Sequence, residues 1–169
     1  MLKAYSKFLD AIEKVEKVIL ALTVSVMVVL MLYQVVLRYV FSASNSWSEE
    51  LVRYLFILDV MLAASIAVRR NSHLQIDVLI NCFGPKLKRI FTIVATLAGI
   101  VFLACLFWYS LDLCMTATSN ISPGLGISMA IPYASVPLGT VLMILTSIEV
   151  VLRTIEELRN ENEKEVSAV

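Results

Sequence analysis

Arg38-Tyr39-Val40-Phe41, a short polar link at 42–46, Trp47-Ser48-Glu49-Glu50-Leu51-Val52-Arg53-Tyr54-Leu55-Phe56, a long apolar run, and Arg69-Arg70-Asn71-Ser72-His73-Leu74-Gln75-Ile76-Asp77 form one continuous stretch. Charges stand at both ends of a segment long enough to cross a bilayer. Ser48 is the expected N-cap, with Glu49 and Glu50 in the first turn, where the helix dipole favours anions. Arg53 lies four residues from Glu49 and three from Glu50, so all three are expected on one face. Trp47 stands where an aromatic ring meets the headgroups. These residues read either as ordinary interface anchors or as a patch that docks another subunit.

Outward from this stretch, the chain is strongly apolar. Of its 169 residues 59% are apolar, and the mean hydropathy is +0.84, against about half apolar in a soluble domain. The net charge of +0 gives no reason to expect nucleic acid as a partner. Cys82, Cys105 and Cys114 show no metal or disulfide spacing, and His73 is the lone histidine, which excludes a bis-histidine haem. No cofactor and no metal site are expected. A Ser–His protease is poorly supported with His73 in a loop, and neither acid of a paired-Asp protease has a Gly-rich motif around it, so the chain does not read as an enzyme.

Apolar residues at 2, 5, 8, 9, 12, 15 and 19 alternate with Lys and acidic residues, which predicts an amphipathic interfacial helix at the N-terminus. The first span follows at about 18–37, since about 20 residues at 1.5 Å each cross the hydrocarbon core. Its length and charged exit mark a retained helix rather than a removed targeting segment. The second span is expected at about 48–68. Asp59 falls near its middle, where a lone carboxylate costs about 2.5–3.5 kcal/mol, so it needs a proton or a partner. It sits roughly 80° round the helix from Glu49 and roughly 120° from Arg53. Its partner is another helix of this chain or a different subunit.

The 69–89 loop carries His73, Asp77 and Asn81 every four residues and predicts a second amphipathic interfacial helix, ended by Gly84-Pro85. A third span is expected at about 90–111, with Gly99 among alanines allowing close helix contact and Trp108 and Tyr109 as an aromatic belt. A fourth is expected at about 131–151, with Pro132 in its first turn and Pro137 bending it. The fold class is thus an all-α membrane protein: one four-span domain over 1–155 and a polar tail over 156–169. Twelve of the fourteen Lys and Arg residues fall on one side of that topology, and only Arg38 and Arg53 on the other. Both termini, the tail and the 69–89 loop are therefore expected in the cytoplasm.

The run Arg38-Tyr39 … Trp47-Ser48-Glu49-Glu50-Leu51 … Arg53-Tyr54 … Arg69 … His73 … Ile76-Asp77, with Ile131-Pro132-Tyr133 … Pro137-Leu138-Gly139, resembles the small membrane (DctQ-type, or Q) subunit of tripartite ATP-independent periplasmic transporters, or TRAP transporters, from about residue 10 to about 155. The resemblance implies a bacterial inner-membrane scaffold. It would clasp a large membrane subunit that carries substrate and sodium, and help a periplasmic binding protein to dock. It implies an organic acid as substrate, a C4-dicarboxylate or, on general similarity, sialic acid. On that footing Trp47, Glu49, Glu50, Arg53 and Asp59 are expected at the subunit interface, and Arg69, His73 and Asp77 are expected to order the cytoplasmic loop. Membrane lipids are the remaining expected partner. The rival reading is a self-contained dimeric transporter that uses Asp59 as its coupling acid.

Overall fold

The computed structural model describes residues 2–43, 45–71 and 85–167. His73, Asp77 and the amphipathic helix expected around them lie outside the described residues. Five helices are present among the rest: α1 (Leu2–Val40), α2 (Ser46–Asn71), α3 (Pro85–Ala117), α4 (Ala130–Tyr133) and α5 (Ser135–Ser167). Four stretches are long and apolar enough to cross a membrane: Tyr5–Val40, Ser46–Arg70, Ile93–Ala117 and Ala130–Glu156. The chain is an all-α, four-span protein.

The amphipathic segment at the N-terminus and the first span form one uninterrupted rod, about 58 Å long at 1.5 Å per residue. α1 stops where Ser42 turns left-handed at φ 50°, which lets the Ala43 N–H reach the Leu37 carbonyl at 3.1 Å. α2 then begins at Ser46, two residues before the expected cap. The Ser48 hydroxyl donates back to the Asn45 carbonyl at 3.2 Å instead of capping. The expected bend at Pro137 appears as a break at Ala134, between α4 and α5. Pro137 has no N–H to return to the Tyr133 carbonyl, so one continuous helix loses a bond there. Beyond the fourth span, α5 continues into the polar tail as helix to Ser167.

α5 is the centre of the assembly. α2 and α3 pack on it, and α1 packs on the other side of α2. α1 touches α5 only lightly, and α1 and α3 share no substantial contact among the described residues. The long helices therefore form a bent row rather than a closed bundle. Half of the most apolar window of α5 is buried, against 6% of that of α1. The outer faces carry apolar stripes at seven-residue steps, Val15-Leu22-Val29-Val36 on α1 and Val94-Val101-Trp108-Met115 on α3. Two helical turns make about seven residues, so each stripe runs straight along its rod.

The contacts between helices are made by small and hydroxyl-bearing residues. Ser65, Ser110, Ser135, Thr140, Thr146, Ser147 and Thr154 are buried. Most turn the hydroxyl onto a carbonyl of the preceding turn, as Thr140 does to Val136 at 2.8 Å and Thr154 to Val150 at 2.9 Å. A satisfied hydroxyl of small volume lets backbones approach without a polar penalty. α2 and α5 approach closely at Gly139, where a Cβ would lie 2.5 Å from the Met61 Cβ. At Gly99 an added Cβ would meet nothing within 4 Å, so this glycine is not the close contact expected of the third span.

Gly139→Ala should lower stability by about 1–3 kcal/mol through overpacking, and Met61→Ala should not rescue it, because the obstructing Cβ remains. Gly99→Ala should change stability by less than about 0.5 kcal/mol. Thermal unfolding in detergent measures both.

Candidate functional site

Three polar assemblies tie the row together, one at each end and one in the middle. The largest joins α1, α2 and α5 around Arg69. This residue closes the second apolar run, and its side chain is only 10% exposed. Its Nε donates to Glu149 Oε2 at 2.7 Å, its Nη1 to Glu13 Oε2 at 2.5 Å and its Nη2 to Asp10 Oδ1 at 2.8 Å. Nη2 also approaches the Ser6 carbonyl at 3.3 Å. A guanidinium has five N–H donors in a planar fork, so one side chain can serve carboxylates from two other helices at once. Arg70 donates twice to Glu13 Oε1, at 3.1 and 2.8 Å, and Lys17 pairs with the same oxygen. Tyr5 adds a bond from its hydroxyl to the Leu145 carbonyl at 2.9 Å. Glu149, 3% exposed, has its charge answered almost wholly by Arg69, since Arg153 stays 3.8 Å away. One turn deeper, Glu16 and Ser65 face each other in the α1–α2 contact.

In the middle of the row, the Thr23 hydroxyl of α1 donates to Asp59 Oδ1 of α2. Asp59 is 7% exposed, and its Oδ2 has no hydrogen-bond partner among the described residues. Of the two partners left open for this acid, the structure supplies one from within the chain.

At the opposite end from Arg69, α2 meets the 118–129 segment. That segment is a tight hairpin: Ser122 N–H bonds the Ile127 carbonyl at 2.9 Å, Met129 N–H bonds that of Asn120 at 2.9 Å, and Gly126 turns at φ 67°. Glu50 Oε2 accepts from the Ser122 hydroxyl, from Gly124 N–H at 3.1 Å and from Leu125 N–H at 3.3 Å. A Cβ at Gly124 would lie 2.9 Å from the Glu50 carboxylate and 3.1 Å from the Ser46 backbone carbon, so a larger residue would have to displace one of them. Glu49 and Arg53 instead pair with each other at 3.2 Å on the surface, 70% and 64% exposed. The single face expected for Glu49, Glu50 and Arg53 is thus split. Three converging donors hold the Glu50 carboxylate more strongly than one solvated guanidinium would. Trp47 stacks at a tilt of 41° on Tyr33, ring centres 6.4 Å apart, and so ties the start of α2 to the end of α1.

Sequence reasoning expected Arg69 to order the loop after the second span and did not foresee its bonds to Asp10, Glu13 and Glu149. Glu149, in Ile148-Glu149-Val150-Val151, was the available signal: an acid at the end of an apolar run needs a cation, and Arg69 ends the second span, which runs parallel to the fourth and closes on the same side. Nothing local marked Ser122, Gly124 and Leu125 as the partners of Glu50.

With this geometry in view, the family model described as the DctQ component of tripartite ATP-independent periplasmic transporters matches residues 27–157. The chain belongs to the DctQ family. Among its DctQ-type relatives, the C4-dicarboxylate TRAP transporter small permease protein DctQ of Vibrio cholerae is 29% identical over 90 residues, 53% of this chain and 39% of that protein. The sialic acid TRAP transporter permease protein SiaT of Haemophilus influenzae is 29% identical over 120 residues, 71% of this chain but 20% of that protein. A putative TRAP transporter small permease protein of Haemophilus influenzae is 23% identical over 137 residues, 81% and 83% of the two chains. The matched stretch thus spans well under half of the first two relatives. The family and the four spans together make the chain a multi-pass membrane component of a transporter. The matched region includes Glu50, Asp59, Arg69 and Glu149 and begins after Asp10, Glu13 and Thr23.

Arg69→Ala should cost about 3–5 kcal/mol, because it strands buried carboxylates, and Arg69→Lys should recover little, since an ammonium lacks the fork. Thermal unfolding of the purified chain reads this. Glu50→Ala should open the 118–129 hairpin to proteolysis, whereas Glu50→Gln, which keeps an acceptor oxygen, should protect it in part; limited digestion followed by mass spectrometry distinguishes the two.

Proposed function

We propose that this chain is the small membrane subunit of a sodium-coupled, binding-protein-dependent secondary transporter for an organic acid. It braces a larger membrane subunit and offers no path for solute itself. The observation that carries this reading is the match to SiaT, in which the segment resembling this chain makes up 20% of a longer permease protein. The larger remainder is what a separate large subunit supplies here. The bent row supports the same reading: its long helices are clamped together by buried polar bonds, while α1 and α3 turn apolar stripes outward.

In this proposal the protein lies in the bacterial inner membrane with both termini in the cytoplasm, as the distribution of Lys and Arg favours. Trp47, Glu49 and Arg53 meet the large subunit directly. Glu50 and Asp59 serve that interface from behind, by fixing the hairpin and the α1–α2 contact. The hairpin, held by Glu50, helps seat the periplasmic binding protein. Arg69, with His73 and Asp77, orders the loop that follows α2. The chain works as a transporter subunit, not an enzyme. The substrate is sialic acid or a C4-dicarboxylate, the substrates named for the relatives that it resembles.

Reconstitution tests both parts of the proposal. The chain alone in liposomes should move no organic acid under a sodium gradient, and uptake should need the large subunit and the binding protein. Uptake by the chain alone would favour instead a self-contained dimer working through Asp59. Changing Trp47, Glu49 and Arg53 together to Ala should cut the amount of co-purified large subunit several-fold; undiminished yield removes these residues from the interface.

A further inference from the structure

Beside the Arg69 clasp lies an open cleft of about 350 Å³ between α1, α2 and α5. Its inner wall is made by Arg69, Glu13 and Glu149, one cation against two carboxylates, with Lys17 and Arg70 also paired to Glu13. Its rim carries Asp10, Arg70 and Arg153, with side chains 58%, 60% and 58% exposed. The rim thus presents one negative and two positive groups around a single opening. The three are not equally engaged. Asp10 gives one oxygen to Arg69, and Arg70 is bonded to Glu13. Arg153 lines the opening and pairs with Glu149 at 3.8 Å, beyond hydrogen-bond range.

The position of the cleft in the chain restricts what can fill it. Asp10 and Glu13 precede the apolar part of α1, Arg69 and Arg70 follow that of α2, and Glu149 and Arg153 close that of α5. All six therefore sit at the level where hydrocarbon gives way to headgroups. Towards the bilayer, α5 exposes Val141, Ile148 and Leu152, an apolar wall suited to acyl chains. Basic residues between spans at this level are a recurrent headgroup site. Here the adjoining carboxylate alters the selection. It repels a purely anionic headgroup and attracts one that also carries an ammonium.

We infer that this cleft binds the zwitterionic headgroup of an aminophospholipid, its phosphate on Arg153 and Arg70 and its ammonium on Asp10. The bound lipid fills the opening between α1 and α5, helices that otherwise touch only lightly. The inference does not depend on the partner or substrate of the transporter.

The test is native mass spectrometry of the full chain, stripped of lipid in detergent and offered equal amounts of phosphatidylethanolamine and phosphatidylglycerol. Phosphatidylethanolamine should be retained preferentially. Arg153→Gln and Asp10→Asn should each reduce its retention about ten-fold, the effect of losing one charge-assisted hydrogen bond. Asp112→Asn, an exposed acid at the opposite end of the spans, should change nothing. Should Asp10→Asn loosen α1, Arg153→Gln decides alone, since Arg153 stays beyond hydrogen-bond range of Glu149. Equal retention of the two lipids, or retention unaffected by Arg153→Gln, means annular lipid only and overturns the inference. Displacement of the lipid by an equal concentration of glycerophosphoethanolamine would show a water-soluble ligand and overturn it as well.

Discussion

The guanidinium of Arg69 is the point on which the described fold depends. It bonds α1, α2 and α5 together, through Glu13, Asp10 and Glu149. A row of helices has fewer neighbours per helix than a closed bundle, and lipid offers no hydrophobic reward for pressing apolar faces together. Such a row needs directional bonds at defined places. Arg69 supplies them at one end, Thr23 and Asp59 in the middle, and Glu50 with the 122–125 backbone at the other. Each joins elements far apart in sequence.

Between those points the packing inverts the habit of a soluble core. The buried set is rich in Ser and Thr, and the exposed set in Val, Leu, Phe and Trp. Most of the helix hydroxyls spend their hydrogen bonds on the preceding turn, so across the contacts they behave as small, nearly apolar surfaces. Gly139 against Met61 is the extreme of this rule. It places α5 close enough to α2 for Glu149 to reach Arg69, so a backbone contact in mid-helix and an ion pair near the helix end belong to one arrangement.

Most of the architecture was legible because lipid imposes it. Length, apolarity and the one-sided distribution of Lys and Arg admit few topologies, and four spans followed from them. Span ends were less legible: Leu111 and Val151 are where apolarity fades, but the backbone keeps its helical bonds to Ala117 and Ser167. The site was legible residue by residue and not as pairs. Glu49 with Arg53 could be found because helix geometry fixes an i,i+4 neighbour. Glu50 could not, since its partners are backbone groups more than seventy positions away, and a backbone N–H leaves no mark in a sequence. Asp59 announced that it needed something, but Thr23, one hydroxyl among several in its span, did not announce itself as the answer.

The order of synthesis gives the Arg69 clasp a direction in time. Asp10 and Glu13 leave the ribosome well before Arg69, and Glu149 emerges eighty residues after it. The first helical hairpin can therefore enter the bilayer with its cationic terminus already neutralised, carrying a half-finished receptor for the last helix. When that helix arrives, Glu149, the one acid within its apolar span, finds a waiting counter-charge in a single register.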